Sequence, residues 1–488
     1  MSYSGPSSGS DQPLGKNHGL EVITSNKRIP PEPVFCSISK QSSVQELYPV
    51  IMAGQDQVHH ISTSIVAPAS YNGSATTTRL DLTTWDLQLL VPAYIQRGLL
   101  FTKPKLQDSE TICNIISNLK TSLSQTLDHF YPLAGGLVIE EHVDDGTTSV
   151  YINCNSTGAE FIHAVAEHIT VADILEPIYV PSVVESSFFS LNGVMNYDGL
   201  IKPLLSVQVT ELNDGIFIGC SMNHAVCDGT SFWHFMNSWS EISRSSVGGK
   251  SSIRTISRPP ILERCFLNNA DCPIRLPFSI DDERFRESHV FATIRSEYEV
   301  RFYHFTRETV AMLKAKANAE IGPTNGRCIS SLQALLAHFW VAVTRARNLD
   351  PNAETSYCIL VGNRTRLVPP LPQEYFGNSV NFYVATTTVG ELLEKGHGWG
   401  ALLLNQGIMS RDDAAIRRSW DSWVQKPIFI DRAAIFQVRS GIANKSDGKI
   451  SVISGLVEGS LCVEACLSPK TLMAMENDTE FVNTISSN

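Results

Sequence analysis

Apolar residues recur on one helical face from Ser109 to Phe130, where Ile112, Ile115, Ile116, Leu119, Leu123 and Leu127 fall at three- and four-residue spacing. The spacing predicts a helix lying against a core. Tyr131-Pro132-Leu133-Ala134-Gly135-Gly136 ends it, because proline lacks the amide donor of the next turn and paired glycines favour a reversal. Short β-branched and aliphatic runs then predict strands at 137–139 and 150–152 around the turn Asp144-Asp145-Gly146. Two more strands, 204–210 and 216–221, flank Asn213-Asp214-Gly215, a hairpin signal. The second of them runs into Ser221-Met222-Asn223-His224-Ala225-Val226-Cys227-Asp228-Gly229, after which 231–242 reads as a helix carrying Phe232, Trp233, Phe235, Met236 and Trp239.

The pattern resumes beyond a Ser/Gly/Pro-rich stretch, 243–283, that suits a crossover linker. Helices are expected at 306–319, 330–347 and 392–409, and strands at 356–361, 379–386, 435–439, 449–453 and 461–467. Residues 1–20 are Ser/Gly-rich and 40–78 lack a period, so 1–78 reads as an irregular, partly disordered extension. The expectation is an α/β protein of two similar halves, 79–242 and 284–488, each a helix-flanked mixed sheet.

Length and charge narrow the function. A chain of 488 residues exceeds what one core usually serves, which supports two domains. With 43% hydrophobic residues and a mean hydropathy of −0.03, the composition is that of a globular protein. A net charge of −11 without any basic block gives no support for a nucleic-acid or anionic-membrane partner and leaves small molecules. No run reaches the roughly 18 apolar residues of a membrane span, and the amino terminus lacks a secretory layout, so the expected compartment is the cytoplasm. The eleven cysteines are dispersed without CxxC spacing, which argues for reduced thiols and neither a disulfide nor a metal site.

Chemistry concentrates at His224. Its ordinary pKa near 6.5 suits a general base at neutral pH, and it sits where a strand hands over to a helix. Asp228, four residues on, either orients the ring or turns away to hold the loop through an arginine; the strand-to-helix junction favours the second. Cys227 reads as a small buried hydrophobe, and His234 and His338 read as packing residues.

The run from Ser221 through Thr230-Ser231-Phe232-Trp233-His234-Phe235 closely resembles the HxxxD signature of the plant BAHD acyltransferase family. Further family landmarks follow the same order: Thr84-Trp85-Asp86-Leu87, Tyr131-Pro132-Leu133-Ala134-Gly135, Ser330 through His338, and Gly362-Asn363-Arg364-Thr365-Arg366-Leu367 through Tyr375-Phe376-Gly377-Asn378. The resemblance spans residues 78 to 485. It implies a monomer with a fold of the chloramphenicol-acetyltransferase-like type, whose two halves enclose a channel. Acyl-coenzyme A enters that channel as cosubstrate from one side and an alcohol or amine of a plant specialised metabolite from the other. It also implies that His224 is the catalytic base and that Asp228 pairs with an arginine, Arg364 in preference to Arg366. Trp85, Phe232, Trp233 and Phe382 are candidates for the substrate pocket, with core packing as the rival reading, and Ser440 and Gly441 for the coenzyme A side.

One landmark is missing. The family's Asp-Phe-Gly-Trp-Gly has no counterpart near 422–441, and Gly396-His397-Gly398-Trp399-Gly400 opens a helix and matches a different family stretch. Two alignments are open: a short deletion after Asp431 that keeps Ser422-Trp423 on a channel strand, or a longer one that removes that strand. Without the two glycines the coenzyme A mouth is remodelled. Three functions therefore stand: a coenzyme A-dependent acyltransferase, an enzyme using His224 for elimination or intramolecular acyl shift, and a catalytically silent binding protein.

Overall fold

A computed structural model describes residues 21–25, 58–73, 78–102, 109–247, 256–264, 273–277, 298–322, 328–425, 445–455 and 457–485. In chain order its strands are β1 (Glu21–Ser25), β2 (His59–Val66), β3 (Thr78–Asp81), β4 (Ile95–Thr102), β5 (Gly136–His142), β6 (Thr147–Cys154), β7 (Ala159–Ala166), β8 (Leu205–Leu212), β9 (Gly215–Met222), β10 (Glu299–Phe305), β11 (Glu354–Gly362), β12 (Val380–Thr388), β13 (Lys449–Ser454) and β14 (Leu461–Leu467). The amino-terminal half builds a five-stranded sheet in the order β2-β7-β8-β9-β4 and a three-stranded sheet β3-β6-β5. The carboxyl-terminal half builds a six-stranded sheet, β10-β14-β13-β1-β11-β12, into which β1 is inserted from the amino terminus. The pair β7–β8 is parallel, and the 38 residues between these strands supply the crossover that a parallel pair requires.

β9 explains the depth of the site. Its residues Gly-Ile-Phe-Ile-Gly-Cys-Ser-Met are buried throughout, because the strand lies between β8 and β4 and is covered on both faces. Gly219 is required there: a Cβ would stand 2.1 Å from the Phe188 carbonyl oxygen. The expected amphipathic helix runs Ser109–Leu127, with Ile116, Leu123 and Leu127 buried. Tyr131–Ala134 forms a short 3-10 turn after it.

Among the described residues each half has one large hydrophobic core, a smaller cluster around Phe188, Phe189 and Phe217 adds to the amino half, and residues are exchanged across the boundary. Leu367, Phe376, Ile416, Trp420 and Trp423 belong by sequence to the carboxyl half but pack into the amino-terminal core. Trp420 meets Trp85 edge to face, with ring centroids 5.0 Å apart. A buried Lys445 adds an ionic link, pairing with Glu185 of the amino half and, at 3.1 Å, with Glu464.

Several expectations need correction. The irregular reading of 1–78 differs from the structure, since β2 pairs with β7 and β1 completes the far sheet. The stretch 243–283 is more than a tether where it is described. Ile256, Ile274 and Leu276 are buried in the amino-terminal core, and Leu276 bridges to Thr148. Ser422-Trp423 lie on the helix Asp413–Gln425, not on a strand, because Ile416, Trp420 and Trp423 recur at helical spacing and bury one face. The helix Val389–Met409 is interrupted at Gly396, which adopts φ 74°; Glu320 then accepts from the Gly398 amide at 2.6 Å and restarts it. The strand expected at 435–439 lies outside the described residues, as do Ser440 and Gly441.

Candidate active site

β9 ends at Met222 and the next helix begins at Gly229, so His224 stands in the irregular link between them. Asp228 starts that helix. Its carbonyl accepts from Phe232 N–H at 2.8 Å and its Oδ1 from Ser231 N–H at 3.0 Å, the geometry of a helix N-cap. Arg364 grips the same carboxylate with two bonds, Nη1 to Oδ2 at 2.5 Å and Nη2 to Oδ1 at 2.9 Å, and Ser379 N–H adds a bond to Oδ2 at 3.0 Å. An ionised carboxylate offers about four lone-pair positions, and here four donors use them. Asp228 thus has no acceptor left with which to orient His224. Burial alone would raise the Asp228 carboxyl, but the Arg364 guanidinium overrides it and holds the group below the usual carboxylate range.

Arg364 is itself buried and extends the joint, donating to Ser231 Oγ at 3.0 Å and to the Gly377 carbonyl at 3.0 Å. Arg366 points elsewhere, to the carbonyls of Ile408 at 3.0 Å and Arg411 at 3.3 Å. Of the two arginines, the first is the one that reaches Asp228.

A second buried ion pair lies beside the first. Asp86, sealed from solvent, caps the short helix Thr84–Leu87 with Thr83 and meets Arg264 Nη1 at 2.6 Å. Arg264 Nη2 donates to the Val226 carbonyl at 2.7 Å, and Asn378 donates to Asp86 Oδ1 through both its backbone N–H (3.2 Å) and Nδ2 (2.8 Å). Asp86 and Tyr375 through Asn378 were visible in the sequence as parts of landmarks without a task of their own; Arg264, and Asn196 whose Oδ1 accepts from the His224 N–H at 2.6 Å, carried no signal in any spacing.

His224 is 3% exposed. Burial pushes its imidazole down to about 4, with Asp228 pulling the other way and Arg97 adding to the depression. At neutral pH the ring is therefore unprotonated. Cys227 is fully buried, with Sγ 2.9 Å from Met222 Sδ, and burial pushes its thiol well up, so it packs as a hydrophobe. Trp85 and Phe232 pack in the amino-terminal core, 2% and 0% exposed, as deeply buried as His224 itself. Trp233 is half-buried against that core, and Phe382 is half-buried on β12 opposite Leu360. His234 bonds the Arg258 carbonyl at 2.7 Å, and His338 meets Thr484 Oγ1 at 2.9 Å in the other half. Among the described residues no group of His, Cys, Asp or Glu is placed to hold a metal, and none of the eight described cysteines, of eleven in the chain, is in a disulfide. Nor is any described helix long and apolar enough to cross a membrane.

The buried histidines predict an acid-labile fold. Burial pushes His338 down to about 3 and also lowers His234 and His397, whereas an unfolded chain titrates its histidines near 6.5. Between these values the unfolded state binds more protons than the folded one, so stability is full above about pH 6.5 and is lost as pH falls through the window. Thermal melts should hold steady from about pH 8 to 7 and drop by about pH 5. A melting temperature that stays level between about pH 7 and 5 would contradict this account.

Comparison with known families matches residues 56–455 to the Transferase family. An Arabidopsis thaliana protein described as an uncharacterized acetyltransferase is 37% identical over 453 residues, 87% of this chain and 98% of its own length. The BAHD acyltransferase DCR of the same plant is 31% identical over 436 residues, covering 82% and 88%. Among solved structures, TRI101 of F. sporotrichioides, crystallised with coenzyme A and T-2, superposes with a TM-score of 0.63 at 16% identity, covering 84% of this chain and 99% of that one. At that identity the likeness is one of fold.

Proposed function

This chain belongs to the BAHD acyltransferases of the Transferase family, and we propose that it moves an acyl group from an acyl-coenzyme A onto a hydroxyl or amine of a plant specialised metabolite, with His224 as general base. Family members transfer acyl groups from coenzyme A thioesters to hydroxyl or amine groups. The observation that carries the residue assignment is the contrast between His224 and Asp228. The imidazole is buried and unprotonated at neutral pH, free to accept a proton, while the carboxylate four residues on is committed to Arg364, Ser231 and Ser379.

In this mechanism the imidazole takes the proton of the acceptor O–H or N–H as the acceptor's lone pair attacks the thioester carbonyl. The tetrahedral intermediate collapses by breaking its C–S bond, coenzyme A leaves as thiolate, and the imidazolium passes its proton to that thiolate, which restores the neutral ring. No acyl-enzyme forms. Holding both reactants beside one base converts an encounter of three groups into a local event, the source of much of the acceleration. Trp233 and Phe382, the half-buried members of the aromatic set, are the candidates for contact with an apolar acyl or acceptor group.

The missing Asp-Phe-Gly-Trp-Gly favours a second reading, in which His224 drives elimination or an intramolecular acyl shift and the chain needs no coenzyme A. Calorimetric titration with free coenzyme A and a panel of acyl-coenzyme A esters separates the two. Micromolar binding is the expected result; no heat of binding from folded protein would transfer the assignment to coenzyme A-independent chemistry.

A further inference from the structure

Both main-chain polar groups of His224 are held by side chains from remote parts of the chain. Its N–H donates to Asn196 Oδ1 at 2.6 Å, and its carbonyl accepts from Asn378 Nδ2 at 2.8 Å. Neither bond belongs to a ladder or a helix, because the residue lies between the end of β9 and the start of the next helix. No side chain substitutes by holding the ring: Nδ1 is sealed from solvent, and only main-chain groups of its own loop, at His224 and Cys227, act on it. The direction of the imidazole therefore follows from where its backbone is held and from the packing around it.

Each holding amide is anchored in turn. Asn196, fully buried, donates through Nδ2 to the Leu89 carbonyl at 2.8 Å, and its own carbonyl accepts from Asn223 Nδ2 at 2.6 Å. Asn378, also fully buried, is tied to Asp86 by the two bonds described above, and Asp86 is fixed by the Thr83 N–H at 2.9 Å, the Thr83 hydroxyl at 2.7 Å and Arg264. The amide meets the demands at position 378 without adding a charge, since its one nitrogen donates to two acceptors, the His224 carbonyl and the Asp86 carboxylate.

We infer that Asn196 and Asn378 are positioning residues, two amides that clamp the main chain of His224 at its N–H and its carbonyl and so aim the imidazole, with Asp86 as the anchor of the Asn378 arm. The inference rests on His224 being the base. Asn378 also reaches it from the carboxyl half, so docking of the two halves sets the aim of the catalytic ring.

The test is a double-mutant cycle on thiol release from acyl-coenzyme A, using the ester and acceptor with the highest turnover in a panel screen. Asn378→Ala should lower kcat by about a hundredfold with KM unchanged, the cost of a small misplacement of a reacting group. In the His224→Ala background it should add nothing, because it acts through that ring. An unchanged kcat, or an equal loss in both backgrounds, overturns the clamp. Asn378→Ser, which keeps a short donor, carries the same measurement if the alanine variant does not fold. A second readout is independent of turnover: in protein labelled with 15N-histidine, the ring signals lost in His224→Ala identify His224, and these should shift in Asn378→Ala. If they stay in place the clamp is wrong, whatever the activity; if they shift while His224→Ala keeps full turnover, the clamp stands and the general-base reading falls.

Discussion

Replacing His224 by alanine is expected to cut turnover by at least about a hundredfold while leaving the fold intact, the lower range of what a positioned base supplies. The expected loss follows from the absence of a second base beside His224 among the described residues. Asp228 has four donors on its two oxygens, and the Cys227 thiol is held protonated by burial. Residual turnover would come from binding the reactants together, which alanine does not disturb. The fold should survive for a reason specific to this loop: the bonds from Asn196 and Asn378 go to backbone atoms that alanine retains, and no side chain bonds to Nδ1, so none is left unsatisfied. Initial rates of thiol release with circular-dichroism melts on the same sample make the check. Turnover at the wild-type level would remove His224 from the chemistry; a collapse of the melt would mean that the ring supports the core.

The sequence announced elements whose burial is one-sided and local. The helix Ser109–Leu127 repeats its apolar residues every third and fourth position, and the β8–β9 hairpin carries Asn213-Asp214-Gly215 at its turn. β2 gave no such signal because it is a sheet edge: Ile61 and Ile65 are 58% and 60% exposed, so its alternation does not separate inside from outside. β1 was invisible for another reason. Five residues in a Ser/Gly-rich neighbourhood become a strand only because β11 and β13 pair with them from hundreds of positions away. The candidate site divides along the same line. His224 and Asp228 stood out from a strand-to-helix junction, and Arg364 from a family motif. Asn196 and Arg264 gain their roles from tertiary placement alone, which no spacing encodes. Trp85 shows the limit for aromatics: side-chain type implies an apolar surrounding, but no spacing announces that Trp420, on a helix more than three hundred residues later, packs against it.

Asp228→Ala should reduce both activity and stability, and the stability loss is the more diagnostic of the two. The substitution leaves the Arg364 guanidinium buried, 9% exposed, without its carboxylate, and breaking one side of such a pair costs about 3–5 kcal/mol. It also removes the N-cap of the helix Gly229–Val247, typically about 1 kcal/mol, although the two costs share one carboxylate and do not simply add. Activity falls as a consequence, since the freed loop carries His224. Removing the stranded charge as well tests that order of cause. The double variant Asp228→Ala with Arg364→Met should recover part of the lost stability in urea denaturation, because an apolar side chain of similar length does not require a buried counter-ion. No recovery would mean that the arginine finds solvent or another partner. An Asp228→Ala protein as stable as wild type but slow would instead place the carboxylate in the reaction itself, in conflict with four donors already occupying it.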